Sequence, residues 1–237
     1  MFPRRPVVST GGDKLGSIND SKGSSTSSLL SRLKASAETK DDDKDIAGDG
    51  GGIRRKREEN PLVFLEVVAG GRDLGRINIE LRADIVPIGS ENFRQLCTGE
   101  RGTSKKTGVR MHFRGNKFHR IVRDKYIVGG DLARGDGMHS ECSFGTSSGK
   151  FPDENFLLRH TGPGVVGLVN CGQNSNGSQF YITTSETAWL DEKCVVVGAV
   201  TDQASLDTLS LVERLGTEWG APKRPVLISD CGQSNIK

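Results

Sequence analysis

The feature that most constrains the fold is a series of short apolar segments, each bounded by turn residues, that runs from Pro61 to the C-terminus. LVFLEVV and GRINIELR alternate apolar with polar side chains, as strands with one buried face do. Gly70-Gly71 lies between them and favours a tight turn, so the two segments predict a β-hairpin. Four more apolar segments with Gly, Pro, Asn or Asp at their ends follow: GVVGLV, QFYIT, KCVVVGAV and PVLIS.

Two other segments have helical spacing. PIGSENFRQLC, residues 87–97, starts with a proline suited to a first helical turn and is followed by Gly99, a residue favoured after a helix. SLDTLSLVERLG, which lies between the last two apolar segments, has the same period. Many short strands with two helices predict a mainly β fold, an antiparallel barrel capped by helices.

Residues 1–60 differ in composition from residues 61–237. They are rich in Gly, Ser, Asp and Lys and contain one aromatic residue, Phe2. This composition predicts a disordered tail ahead of a single domain. SSLLSRLKASAET in the tail is either a docking helix or a transient helix in a solvated segment. The basic run 54–57 is either a nuclear localisation or phosphate-binding signal or a chance cluster at a domain edge.

Charge and cysteine content exclude several classes of protein. A net charge of +3, with acidic and basic residues mixed, favours neither a nucleic-acid nor a membrane partner, and no segment approaches the ~18 apolar residues of a membrane span. The five cysteines are widely spaced, and His139 with Cys142 makes no zinc pattern, so we expect no disulfide framework, metal or cofactor. We expect a cytoplasmic or nuclear location and regard a mitochondrial one, read from the basic N-terminus, as less favoured.

The stretch FHRIVRDKYIVGGD, residues 118–131, places Arg120 in an apolar run that ends in two glycines. With ENFRQLCTGE, FPDENFLLRHTGPG, NSNGSQFYIT, WLDEKCVVVGAV and ISDCGQ, in this order and at these spacings, it resembles the cyclophilin family of peptidyl-prolyl cis-trans isomerases. The resemblance covers about residues 61–237. It implies a closed eight-stranded antiparallel barrel with two α-helices at its ends, isomerase activity on X-Pro bonds, and binding of proline-containing peptides and cyclosporin.

The same resemblance assigns the site residues. Arg120 matches the catalytic arginine, Asn170 and Gln179 belong to the catalytic set, and Trp189 and Leu190 are wall residues that the family shares. Other wall positions depart from the family: Lys125 stands for a phenylalanine, Tyr126 for a methionine, Val128 for a glutamine, Tyr181 for a phenylalanine, Cys194 for a histidine, and Val169 and Cys171 for alanines. A lysine ammonium prefers water, and the lost glutamine removes a partner of the arginine. We therefore expect lowered isomerase activity and weakened cyclosporin binding.

The segment 100–118 resembles the insertion of the divergent-loop cyclophilins, in which two cysteines and a glutamate are linked to redox control. Cys97, Cys231 and Glu154 match those places. The alternative, which we favour, is that both cysteines are small core residues, because nothing in the sequence indicates a lowered thiol pKa. Cys171 and Cys194, predicted at the pocket, are separate candidates for oxidation.

Two functions follow from these residues. The first is an enzyme that isomerises X-Pro bonds in protein folding or remodelling. The alternative is a low-activity peptide-binding module that joins a larger complex, such as a nuclear ribonucleoprotein or splicing assembly, through its N-terminal tail and without direct contact to nucleic acid. The retained Arg120 favours the enzyme, and the altered pocket favours the module.

Overall fold

A computed structural model describes residues 59–234. The predictions for the N-terminal tail, including its docking helix and the basic run 54–57, lie outside the described residues. Eight strands and two α-helices make up the described part. The strands are β1 (Leu62–Ala69), β2 (Arg72–Leu81), β3 (Arg120–Val122), β4 (Tyr126–Gly129), β5 (Val165–Leu168), β6 (Phe180–Thr183), β7 (Val196–Val200) and β8 (Val226–Ser234), and the helices are α1 (Pro87–Thr98) and α2 (Gln203–Arg214).

The predicted hairpin is confirmed. β1 pairs antiparallel with β2 from Leu62 opposite Glu80 to Ala69 opposite Arg72. Gly70 and Gly71 both have positive φ, 58° and 77°, as a two-residue turn that matches strand twist requires. Alternate residues of β1 are buried, which is the pattern that its sequence predicts.

Both predicted helices are confirmed. Pro87 occupies the first turn of α1, and Gly99 ends that helix with φ 69° and an N–H donated to the carbonyl of Gln95. The side chain of Asp202 caps α2 by accepting the N–H of Ser205 at 2.8 Å. Across residues 59–234, no helix combines the length and the apolar character that crossing a membrane requires.

The sheet is curled into a half-barrel, with the strand order β3-β4-β6-β5-β7-β2-β1-β8. The prediction of a closed barrel was therefore too strong, since β3 and β8 form no ladder with each other. The reason is that the outer edge of β3 pairs with a loop, where the N–H of Ile121 donates to the carbonyl of Gly220 at 2.9 Å. The segment before β3 meets β8 without a regular ladder, through an isolated bridge between Lys117 and Leu227 and backbone hydrogen bonds that join residues 115–118 to residues 226–228.

The core fills the concave side of this sheet. It is built from alternate residues of β1 and β2, from the fully buried strands β5, β6 and β7, and from Phe93 and Leu96 of α1. Phe93 packs against Phe113 and Phe180 with ring centroids 5.2 and 5.1 Å apart. This rigid interior fixes β3, β4 and β6, whose outer side carries the site.

Candidate active site

A cavity of about 680 Å³ opens over strands β3 and β4 and the segment that precedes β6. Seven of the residues predicted for the site line it. They are Arg120, Tyr126, Val128, Val169, Asn170, Cys171 and Gln179. His119, Asp136, Gly137, Met138, Ser140, Lys150, Trp219, Gly220 and Ala221 complete the lining.

Arg120 begins β3 and lies directly opposite Val128 of β4. Among the described residues, its Nε–H is buried without a hydrogen-bond partner. Gly220 packs against the side chain, since a Cβ at that position would lie 2.8 Å from Cγ and 3.0 Å from Nε of Arg120. The arginine is thus held by packing, and one buried donor of its guanidinium stays unpaired, because Val128 offers no acceptor.

Gln179 is held by the opposite wall of the cavity. Its Nε2 donates to the carbonyls of Gly137 and His139, both at 2.9 Å. Both amide hydrogens are thereby used, which leaves the side-chain carbonyl oxygen as the group that a ligand can address. The loop that carries Gly137 and His139 therefore sets the orientation of Gln179.

Asp131 fixes that loop. Its carboxylate accepts the backbone N–H groups of Ala133, Arg134, Asp136, Gly137 and His139. Burial alone would raise the pKa of Asp131, but these donors outweigh it and hold the pKa well below its usual range. Asp131 is the last residue of the stretch 118–131, and it thus orders one side of the cavity.

Asn170 follows β5 and faces the cavity beside Cys171. Its Nδ2 donates to the carbonyl of Lys193 at 2.7 Å and approaches Sγ of Cys194 at 3.9 Å. The N–H of Cys171 donates to Ser175 Oγ at 2.9 Å, and the N–H of Val169 to the carbonyl of Gln179. These bonds hold the edge of the loop after β5 along the cavity.

Behind the cavity lies a small apolar cluster that is separate from the main core. Tyr126 and Val128 belong both to the cavity wall and to this cluster, and the partly buried Val169 packs against it. Its other members are Val122, Tyr181, Leu190 and Cys194. Three predicted pocket residues, Tyr181, Leu190 and Cys194, therefore form a second layer and do not line the cavity.

Tyr181 directs its hydroxyl away from the cavity. A tyrosine in place of the family's phenylalanine predicts a hydroxyl inside the apolar pocket, but this hydroxyl bonds instead with Nε2 of His160 at 2.6 Å. Nδ1 of His160 lies 2.6 Å from the carboxylate of Asp191. Because that carboxylate only accepts, Nδ1 carries the proton, and Nε2 accepts the hydroxyl of Tyr181. Burial lowers the pKa of His160, Asp191 offsets part of this, and burial raises the pKa of Tyr181 well above its usual value.

A family model described as cyclophilin type peptidyl-prolyl cis-trans isomerase/CLD matches residues 64–233. That range includes every strand from β3 to β7, both helices and the whole cavity lining. The chain belongs to the cyclophilin family.

The cyclophilin family acts on X-Pro peptide bonds. Rotation about such a bond requires loss of amide resonance, and the proline nitrogen regains a lone pair as the amide twists. A fixed donor that bonds this nitrogen only in the twisted state lowers the barrier without a covalent step. Arg120 is the arginine of the cavity lining, and its guanidinium carries hydrogen-bond donors.

Besides the three residues of the second layer, two more predicted wall residues of this cyclophilin lie outside the cavity lining. Lys125 is exposed in the β3–β4 turn, where its carbonyl accepts the N–H of Thr184. Trp189 lies on a short 3-10 helix, Ala188–Leu190, and is 49% exposed. The cavity therefore has no aromatic wall at the Lys125 position, and its nearest aromatic ring on β4 is Tyr126.

Of the three residues matched to the redox set of divergent-loop cyclophilins, Cys97 lies in α1, Cys231 lies in β8, and Glu154 contacts the first turn of α1. Cys97 and Cys231 are free and buried. Burial, reinforced by the neighbouring Cys231, raises the pKa of Cys97 well above its usual value, and burial raises that of Cys231 to about 12. The carboxylate of Glu154 accepts the N–H groups of Ile88 at 2.9 Å and Gly89 at 2.7 Å, at the start of α1.

Sequence reasoning missed the rim of the cavity. Met138 is 85% exposed and Trp219 is 70% exposed, and both line it. Lys150 and Ser140 line it as well. The signal available for Trp219 was a tryptophan in the loop segment TEWGAPKRP, where a large apolar side chain has no core to enter.

Proposed function

We propose that this cyclophilin domain isomerises X-Pro bonds at the Arg120 cavity, with turnover below that of relatives that keep the usual wall. The observation that carries the proposal is the buried, unpaired Nε–H of Arg120 in a cavity also lined by Asn170 and Gln179. A buried donor without a partner costs free energy in the resting protein, and an acceptor on the ligand recovers it.

Lowered turnover follows from Val128. A side chain opposite Arg120 that accepts a hydrogen bond would hold the guanidinium in one orientation, whereas Val128 only packs against it. Lys125 is exposed, so the site also lacks the apolar contact that an aromatic ring at this position would make with the proline ring. For the same two reasons we propose that cyclosporin binds weakly.

The test is exchange NMR on a peptide with a single Ala-Pro bond, comparing the wild-type chain with Arg120→Ala. We expect Arg120→Ala to lower kcat/KM about 100-fold, since it removes a preorganised donor. Val128→Gln restores an acceptor opposite Arg120, and we expect it to raise kcat/KM about fivefold, the effect of one hydrogen bond. Arg123→Ala, an exposed arginine in the adjacent turn, is the matched control and should leave the rate unchanged.

Equal exchange rates for the wild type, Arg120→Ala and buffer alone would refute the proposed isomerase activity. Binding of the peptide without turnover would then favour the alternative, a peptide-binding module of a larger cytoplasmic or nuclear protein assembly. The observation that favours this alternative is that Tyr181 and Cys194 lie behind the cavity wall, at positions where the family has a phenylalanine and a histidine.

A further inference from the structure

A second cavity, of about 510 Å³, lies between the segment that follows α1 and a later loop of the chain. Residues 100–106 form one wall and residues 141–146 the other, and Met111 completes the lining. We term this cavity the loop cleft. It shares no lining residue with the Arg120 cavity, and its volume is that of a small-ligand site. The loop cleft is therefore a separate place on the domain where a ligand can bind.

The segment that forms the first wall is strongly basic. Residues 101–117 contain six arginines and lysines and no acidic residue. Three of these cations, Arg101, Lys105 and Lys106, line the loop cleft and are exposed. Among residues 59–234, none of the three has a carboxylate oxygen within 4.0 Å. Within the described part of the chain, no salt bridge therefore neutralises this wall.

Two of the cations are held in place by backbone carbonyls. Nε of Arg101 donates to the carbonyl of Ser143 at 3.0 Å, and Nζ of Lys106 donates to the carbonyl of Ser147 at 2.7 Å. Both bonds join the two loops that form the walls. The ammonium of Lys106 and the guanidinium of Arg101 keep further N–H groups, and Lys105 keeps all of its donors. Donors that are fixed in advance lose less freedom when a ligand binds.

The two carboxylates of the lining already have partners. Glu141 is buried and accepts the hydroxyls of Ser104 at 2.5 Å and Thr107 at 2.6 Å. The carboxylate of Glu100 accepts the guanidinium of Arg94 at 2.7 Å. An anion that contacts the three cations directly therefore has to come from outside the described part of the chain.

We propose that the loop cleft binds the phosphate of a phosphorylated serine or threonine in a partner protein. Such a group carries a charge of about −2 and three acceptor oxygens, which suits one guanidinium and two ammonium groups. A nucleic acid fits less well, because bases stack on exposed aromatic rings, whereas Phe144 of the lining packs against Phe151. Binding in the loop cleft requires no proline and no contact with Arg120, so the proposal goes beyond the proposed function.

The probe is a short acetylated, amidated peptide of alanine and glycine with one central phosphoserine and no proline. The same peptide with serine or glutamate at the central position is the reference. NMR titration of the full chain measures the dissociation constants. We expect the phosphoserine peptide to bind about tenfold more tightly than the glutamate peptide, and the serine peptide to bind most weakly. High salt should weaken binding, and so should a pH below about 6, where the phosphate loses its second charge.

Variants of the chain assign the effect to the loop cleft. Lys105→Met/Lys106→Met should weaken binding of the phosphoserine peptide about tenfold, since it removes two of the three cations. Arg72→Met/Lys223→Met makes the same change in net charge at exposed positions outside both cavities and should leave the affinity unchanged. The pair is matched because Lys223, like Lys106, donates to a backbone carbonyl. Arg120→Ala should bind the phosphoserine peptide as the wild type does.

Equal affinities for the phosphoserine and serine peptides would overturn the proposal, and so would full affinity in Lys105→Met/Lys106→Met. A glutamate peptide that binds as tightly as the phosphoserine peptide would replace the phosphate with any acidic side chain. An oligouridine that binds more tightly than the phosphoserine peptide, and that the two-lysine variant releases, would replace the phosphoprotein with RNA. Failure of the proposed function gives a different result: the phosphoserine peptide binds, but no X-Pro bond is isomerised.

Discussion

Replacing Gly167 with alanine tests whether Tyr181 is locked behind the active-site wall. Gly167 lies in β5 with Tyr181 opposite it on β6. A Cβ at 167 would overlap the hydroxyl and Cζ of Tyr181 and lie 2.9 Å from Cε2. The φ of Gly167 lies outside the left-handed region, so backbone freedom does not explain this glycine. The glycine is explained instead by the space that the hydroxyl of Tyr181 occupies where it bonds His160.

The size of the effect follows from two costs. Overpacking a rigid core costs about 1–3 kcal/mol. If the ring moves outwards, the hydrogen bond to His160 is lost as well, at about 1 kcal/mol or more, because Nε2 is left buried and unpaired. We expect Gly167→Ala to lower the free energy of unfolding by about 2–4 kcal/mol, which corresponds to about 5–15 °C in Tm for a domain of this size.

The assay is thermal unfolding of the full chain followed by circular dichroism, together with peptide binding. Gly162→Ala is the matched control, since no atom lies within 4 Å of its Cβ position and its φ is ordinary; its Tm should stay close to that of the wild type. The double variant Gly167→Ala/Tyr181→Phe should cost less than the sum of the single changes. A Tm for Gly167→Ala within 1 °C of the wild type would mean a loss of well under 1 kcal/mol, and it would refute the close packing of Tyr181 against Gly167.

Two further predictions concern stability and thiol chemistry. Asp131 has a folded pKa well below the ordinary value of an aspartate, so its carboxylate stabilises the fold above that ordinary value and stops doing so as pH falls through the folded pKa. Asp131→Asn should therefore lower Tm at pH 7, with a difference that shrinks below about pH 4, and a pH-independent difference would contradict this assignment. Of the five free cysteines, only Cys171 is exposed. An aromatic disulfide reagent at pH 8 should therefore modify one thiol quickly and the other four only on unfolding, and Cys171→Ser should remove the fast phase; a fast phase that survives in Cys171→Ser would contradict the burial of Cys97 and Cys231.

The elements were predictable where local chemistry decides them. Gly70-Gly71 requires a turn, Pro87 and Gly99 bound a helix, and the alternation in β1 follows from one buried face. Closure of the barrel was not predictable in this way, because it depends on what pairs with the outer edge of β3. The partner is the loop at Gly220, almost 100 residues later in the chain, and no local pattern marks that contact.

The same distinction applies to the site. Arg120, Asn170 and Gln179 stand in motifs and could be located from the sequence, and all three line one cavity. Lys125 was expected at the wall because it stands where the family has a phenylalanine, yet it lies exposed in a three-residue turn. Lys150 and Trp219 lie in segments without a motif, and only the folded chain brings them to the cavity.

The residues around Tyr181 accommodate the change from the family's phenylalanine at this position. A tyrosine in place of the family's phenylalanine at 181 would leave a buried hydroxyl unsatisfied, at a cost of about 1–3 kcal/mol, unless a partner and a space existed for it. His160 supplies the partner, Asp191 fixes the tautomer that accepts, and Gly167 leaves the space. Because this arrangement keeps the hydroxyl out of the cavity, the cavity wall stays apolar at Val128 and Val169, while Arg120, Lys150 and Asp136 are the charged residues of its lining.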